Sequence, residues 1–268
     1  MITISIDPVA FSLGSFAVRW YGILVAVAVI TLLLMMFREV KRLGISQDIV
    51  YSLALWGIIG GVIGARLFHI IDYWSYYTAH PGEIIGFAGL SLYGAIIGAV
   101  LAVGVYSWVR KVSPQGLANI GDAAAVGAPL AQAIGRLGCT INGCCYGTIT
   151  SVPWAVVYTH SNSYAPLGVP MHPTQIYFLL WNLVVFAVVW QLRGRLKPEG
   201  SLFLLYLCLY AVGDFGLRFF RVNDPFLFGL HEGQVISLAI LLTALPLLVI
   251  KMRRFQHSCH SEPQAKNL

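Results

Sequence analysis

The stretch VYSLALWGIIGGVIGARLFHII, Val50 to Ile71, decides the fold. Apart from Arg66 and His69 it holds no group that ionises near neutral pH. Wound as an α-helix it rises about 1.5 Å per residue, which carries it across an apolar bilayer core of roughly 30 Å. Within it Gly57 and Gly61, then Gly60 and Gly64, stand four residues apart, the small-xxx-small spacing that lets helix backbones approach in lipid. The expectation is a membrane-spanning helix packed closely on a neighbour.

Working outward, the whole chain matches that compartment. Its 268 residues are 58% hydrophobic and only 10% charged, with a mean hydropathy of +0.76. A water-soluble core cannot hide so much apolar surface, so an integral membrane protein is expected. Further apolar runs lie at Phe16 to Phe37, Ile85 to Val109, Gln175 to Leu192, Leu202 to Leu217 and Gln234 to Ile250. The second of these repeats the close-packing pattern in Gly94, Gly98 and Ala102. A weaker segment, Ile120 to Leu137, is rich in Ala and Gly and interrupted by Pro129. It would face lipid poorly but suits the middle of a bundle.

The reading is an all-α integral membrane protein, a seven-helix transmembrane bundle forming one domain over residues 1–252. A polar tail, 253–268, follows. Between Tyr146 and His172 a long external loop is expected, with a short strand in PWAVVY and turns in SNSYAPLGVP. Such loops usually serve function, here as a cover for an outer pocket and a seat for an extended peptide.

Lys and Arg set the orientation. Arg38, Lys41 and Arg42, Arg110 and Lys111, Arg193, Arg195 and Lys197, and Lys251, Arg253 and Arg254 follow alternate spans. The positive-inside rule then puts the amino terminus outside and the carboxyl terminus in the cytoplasm. Topology also accounts for the net charge of +6, so no nucleic-acid surface is called for. MITISIDPVAF has no basic region before its apolar stretch and no small-residue cleavage pattern, so a cleaved signal peptide is not expected.

Five arginines depart from that distribution: Arg19, Arg66, Arg136, Arg218 and Arg221 lie in or at the ends of spans, toward the outer half. An arginine at the bilayer centre costs about 2.5–3.5 kcal/mol on insertion scales, so partners, water or an anionic ligand must offset it. Singly, each can snorkel or pair structurally. As a set they suggest an outer pocket whose guanidinium forks hold a phospholipid headgroup while the acyl chains stay in the bilayer.

The motifs that accompany them are VRWYG (Val18 to Gly22), GRLG (Gly135 to Gly138) continuing through ING to Gly147, HPTQIY (His172 to Tyr177), FFRVND (Phe219 to Asp224) and EGQVIS (Glu232 to Ser237). In order and separation these resemble the prolipoprotein diacylglyceryl transferase family over almost the whole length, as a divergent cysteine-containing branch. The resemblance implies that the diacylglyceryl group of phosphatidylglycerol passes to the lipobox cysteine of a prolipoprotein at the outer face of a bacterial inner membrane, releasing glycerol phosphate. Its partners are then phosphatidylglycerol, a prolipoprotein lipobox peptide and membrane lipid. No cofactor and no metal ligand set is assigned.

The catalytic candidates are Arg136 and Tyr21, which the resemblance implies, His172 of HPTQIY, and Tyr93, which stands where the family pattern has another residue. The substrate-binding candidates are Arg136, Asn142 and Gly147, which the resemblance implies, Arg66, Arg218 and Arg221 from the arginine set, and Gln175 of HPTQIY. The general base stays open among Tyr21, Tyr93, His69, His172 and the phosphate itself. Each assignment has a plainer alternative: an interfacial anchor for Tyr21, a turn or cap for Asn142, a turn before Pro173 for His172.

The chain departs from the commonest family pattern at several positions. Tyr93 stands in LSLYG where a histidine is usual, Cys139-Thr140 follow GRLG in place of Asn-Phe, Cys144 replaces a glutamate, and Phe178 follows HPTQIY where a glutamate is usual. Asp214 and Arg218 exchange the usual signs at i,i+4 spacing, which preserves an ion pair. Cys139, Cys144 and Cys145 admit a metal site, a disulfide, packing or a covalent relay; Cys-x4-Cys-Cys lacks the usual paired Cys-x2-Cys spacing of zinc sites. Two other functions stay open: the same donor with a different acceptor, and a small-solute transporter. A transporter would usually show paired broken helices in two repeated halves, whereas one central segment is broken here.

Overall fold

In a computed structural model, residues 1–14, 16–84 and 91–260 are described. In chain order the elements are β1 (Ile2–Ile4), β2 (Val9–Leu13), β3 (Phe16–Arg19), α1 (Trp20–Arg42), α2 (Gln47–Asp72), α3 (Trp74–Ala79) and α4 (Leu92–Val109). There follow α5 (Pro114–Asn142), β4 (Val156–Tyr158), α6 (Thr174–Leu192), α7 (Ser201–Leu217), β5 (Pro225–Leu227), β6 (Leu230–His231) and α8 (Glu232–His260). Among the described residues five helices are long and apolar enough to cross a membrane: α1, α2, α6, α7 with its following turn, and α8. The apolar part of α4, Gly94–Val109, is shorter, and Ile85 to Leu90 of the expected span lie outside the described residues.

The protein is mostly helical rather than all-α, because among the described residues three two-stranded sheets accompany the helices. One corrects the first expected span. Phe16–Arg19 is not helical but pairs antiparallel with β2 across Gly14, whose φ of +62° suits a glycine turn. The helix begins only at Trp20, whose N–H donates to Pro8 O at 3.0 Å. A second sheet joins β1 in parallel to β4, the strand expected in PWAVVY, and β5 pairs antiparallel with β6.

The chain divides into two compact units, Met1–Glu39 with Gly121–Leu268, and Val40–Ile120. In the first, the Ala- and Gly-rich segment is the buried central element. Ala123, Ala125, Val126, Ala131 and Ala133 of α5 are all buried, and Pro129 is fully enclosed. Ala125 and Val126 pack with Val185 and Val189 of α6 and Leu202 and Tyr206 of α7. A Cβ at Gly127 of α5 would lie 2.9 Å from Met35 Cβ of α1, so the missing side chain sets that helix spacing. Asp122 near the start of α5 accepts from the N–H groups of Gly200 at 2.6 Å and Phe203 at 2.9 Å, satisfying orphan donors at the start of α7. At the same end, Glu39 of α1 is buried and pairs at 2.8 Å with Arg193, just beyond α6.

In the second unit α2 lies against α4 through the glycines the sequence singled out. A Cβ built on Gly64 would stand 2.8 Å from Gly98 Cα, and one on Gly98 equally 2.8 Å from Gly64 Cα. The two backbones therefore touch, as small residues permit where lipid gives helices no hydrophobic reason to associate.

Candidate functional site

The end of the first unit opposite the Asp122 cap collects most of the residues singled out above. α5 continues past the expected Leu137 to Asn142, so Arg136 projects from within the helix, not from its end. Its guanidinium lies over the ring of buried Phe178 of α6, 4.2 Å from the centroid. The usual glutamate at that position would neutralise Arg136; an aromatic face holds the cation and leaves its charge uncancelled. Tyr21, at the start of α1, lies within electrostatic range of Arg136 and of the three thiols. Gly138 makes this neighbourhood possible, because a Cβ there would fall 3.3 Å from Tyr21 Cα.

Arg221 comes to the same neighbourhood from the FFRVND motif. It bridges backbone to backbone with Gly147, and its Nε is buried with no hydrogen-bond partner among the described residues. Asn223 Nδ2, two residues on, is in the same condition. Buried donors left unpaired cost about 1–3 kcal/mol each, so two from one motif point to a polar ligand. Among the described residues the ion pairs of this unit, Arg193 with Glu39, Lys197 with Glu199, Arg218 with Asp214 and, when the histidine is protonated, His160 with Asp7, involve neither Arg136 nor Arg221.

Gly147 is enclosed. Its N–H donates to His172 O at 3.2 Å, and an added Cβ would fall 2.5 Å from that oxygen and 2.8 Å from Phe220 O. Gly147→Ala is therefore expected to cost about 1–3 kcal/mol by overpacking against backbone, read as a lower thermal midpoint of the protein in detergent.

His172 Nδ1 lies 3.1 Å from the Tyr177 hydroxyl, which accepts from Trp154 Nε1 at 2.7 Å. Its ring also meets Phe220, 5.2 Å between centroids. Gln175, fully buried, donates from Nε2 to Cys144 O at 2.8 Å, and Thr174 Oγ1 donates to Cys145 O at 2.7 Å. The start of α6 thus clamps the loop after α5.

Other candidates have protein partners. Asn142 Oδ1 accepts from Arg19 Nη1 at 2.9 Å, while Arg19 also lies over Tyr164, 4.5 Å from its centroid. Arg218 Nε donates to Asp214 Oδ2 at 2.6 Å, the ion pair that the spacing suggested, and Ser237 Oγ donates to the same oxygen at 2.9 Å. Arg66 and His69 belong to the second unit, where Arg66 donates from Nε to Ile84 O at 3.0 Å and from Nη2 to Glu83 O. His69 stacks near Tyr73, 4.7 Å between centroids. Tyr93 lies in the first turn of α4, in the second unit.

Cys139, Cys144 and Cys145 converge, their sulfurs all within 4.8 Å of one another. Hydrogen bonds from the Cys139 and Cys144 thiols hold the Cys145 thiol below the usual cysteine range against the opposing effect of burial. The Arg221 and Arg136 guanidinium groups pull in the same direction. Sequence reasoning missed Phe178 as a cation platform, Asn223, and the Trp154–Tyr177 chain to His172. Asn223 and Tyr177 stand inside quoted motifs; Trp154 carried no local signal.

The segment after Tyr146 is ordered. Val156, Tyr158, Ala165 and Met171 form their own buried cluster, and Tyr158 OH donates to Thr140 O at 2.9 Å. It reaches the end of α5 directly.

The family model for prolipoprotein diacylglyceryl transferase matches residues 8–250. A phosphatidylglycerol–prolipoprotein diacylglyceryl transferase of Dehalococcoides mccartyi is 43% identical over 255 residues, 95% of this chain and 97% of that protein. A protein of the same name from Clostridioides difficile is 36% identical over 87% of this chain and 90% of its own length. Another, from Limosilactobacillus reuteri, is 32% identical over 94% of each. Agreement of this extent, over the motifs that build the site, places the chain in the prolipoprotein diacylglyceryl transferase family.

Proposed function

We propose that the protein transfers the diacylglyceryl group of phosphatidylglycerol to the lipobox cysteine thiol of prolipoproteins. The thiol loses its proton, and its sulfur forms a bond to the glyceryl carbon that carries the phosphate. The carbon–oxygen bond to that phosphate breaks, its electron pair stays on the oxygen, and glycerol phosphate leaves. The products are a thioether and a phosphate monoester.

The observation that carries this reading is a pair of guanidinium groups, Arg136 and Arg221, that enter no ion pair among the described residues, with Arg221 Nε and Asn223 Nδ2 buried without hydrogen-bond partners there. Negative charge grows on the departing phosphate, so fixed cations aimed at it stabilise the transition state more than the bound lipid. Arg136, on a rigid helix, holds the phosphate; Arg221 and Asn223 bind the same headgroup. Gly147 lets backbone come close, while Asn142 and Gln175 position the loop. Tyr21 contacts the headgroup or the acceptor beside Arg136. In the tautomer whose Nδ1 accepts from Tyr177, His172 would present Nε2–H, a donor suited to the leaving group. Tyr93 and His69 as base candidates and Arg66 as a headgroup contact rest on the sequence alone, and Arg218 supports Arg221 through the intervening turn.

The catalytic domain is taken as residues 1–252 with a cytoplasmic tail, 253–268. It crosses a bacterial inner membrane seven times, amino terminus outside and the site toward the outer face. Supporting that orientation, Arg193, Lys197 and Lys251 gather at the Asp122 end of the first unit, opposite Arg136. The ordered segment from Tyr146 to His172 then covers the outer end, where an extended acceptor peptide would arrive.

Purified protein with labelled phosphatidylglycerol and a lipobox peptide should yield a peptide thioether; lipid bound without product would defeat the assignment. Arg221→Ala is expected to lower kcat/KM by about 10- to 100-fold, the worth of one charge-assisted hydrogen bond. A change under threefold would remove Arg221 from the headgroup site.

A further inference from the structure

We propose that Cys139, Cys144 and Cys145 form a three-sulfur binding site for a single thiophilic d10 cation of the Zn2+ class. The sulfurs lie within 4.8 Å of one another. Around an ion with metal–sulfur bonds of about 2.3 Å, thiolates stand roughly 4 Å apart, so small side-chain rotations suffice to close the site.

The convergence is built by the backbone. Cys139 is buried in the last turn of α5, and the chain then reverses through Gly143, at φ +72°, and Cys145, at φ +60°. A left-handed conformation is unfavourable for a residue with a Cβ, and here it turns the third thiol toward the other two. Thr174 and Gln175 hold the reversal by donating to Cys145 O and Cys144 O, at 2.7 and 2.8 Å. The cradle therefore stands on contacts outside the sulfur group itself.

Three sulfurs suit a metal better than the alternatives. A disulfide uses two and strands the third, and the adjacent pair Cys144 and Cys145 is poorly disposed to bond to itself. Packing alone gives no reason to place a cysteine at positive φ. Thiolate sulfur selects Zn2+ or Cu+ over Mg2+ or Ca2+. Three thiolates around a divalent ion carry one net negative charge, and Arg136 and Arg221 stand close enough to offset it. Among the described residues no His, Asp or Glu joins the group, so a tetrahedral ion would keep one position open. Binding releases the thiol protons to solvent. The site stands on its sulfur geometry and does not depend on the transfer reaction.

The test uses the full chain in detergent, carrying Cys208→Ala and Cys259→Ser so that only the three thiols remain, kept reduced with a phosphine. Titration with Co2+ should give one equivalent of a sulfur-to-cobalt charge-transfer band, displaced by Zn2+. Cys139→Ser, Cys144→Ser and Cys145→Ser should each weaken uptake by more than about 100-fold while circular dichroism shows the fold retained. No uptake above a triple-serine variant would overturn the proposal. So would uptake that survives in that variant, or a Cys139 disulfide in the isolated protein whose reduction brings no metal uptake.

Discussion

Arg136→Ala is expected to slow thioether formation by about 100- to 1000-fold, the loss that follows removal of one preorganised donor to developing negative charge. The guanidinium lies 4.2 Å from the Phe178 centroid and is fixed on α5, so little reorganisation is needed when charge appears on the phosphate. Arg136→Lys should recover part of the rate, since an ammonium supplies charge without the two-pronged fork. Phe178→Glu is the informative partner: a carboxylate there would pair with Arg136 and compete with the headgroup, raising KM for phosphatidylglycerol more than it lowers kcat. Initial rates across lipid concentrations separate the two effects. An Arg136→Ala rate within threefold of the parent would end the assignment.

Gly98→Val should be the most damaging substitution in the second unit, at about 3 kcal/mol. Even a single Cβ at Gly98 would stand 2.8 Å from Gly64 Cα and collide with Gly60 O, and the valine methyls go further. Backbone on both sides cannot yield as a flexible side chain could, so the cost lies at the upper end of overpacking. Gly104→Val is the control, because nothing lies within 4 Å of a Cβ there. Thermal unfolding in detergent should separate the two variants clearly, and equal midpoints would mean that α2 and α4 do not rely on this contact.

Much of this was legible in the sequence, for physical reasons that differ by element. The Gly60, Gly64, Gly94 and Gly98 stripe reads directly because small residues at four-residue spacing have one structural use in lipid. The segment around Pro129 also reads correctly, since Ala and Gly suit burial among helices better than exposure to acyl chains. The β2–β3 hairpin was hidden because apolar FAV is separated from the α1 helix by Arg19 alone; hydropathy counts the residues but not their period, and only Gly14 marks the turn. At the site, the Arg136–Phe178 contact joins two motifs that sequence treats separately, and Phe178 looks there like a missing glutamate. The thiol convergence depends on a left-handed Cys145, which no spacing rule anticipates.

α5 carries Asp122 near one end and Arg136 near the other, on a single helix. Their separation along the axis is about 21 Å at 1.5 Å per residue. Through Asp122 the helix is tethered to the first turn of α7, so a push or pull at that end has a mechanical route to Arg136. Displacing that tether by an ångström would move the arginine by a comparable step, coupling the two ends of the helix.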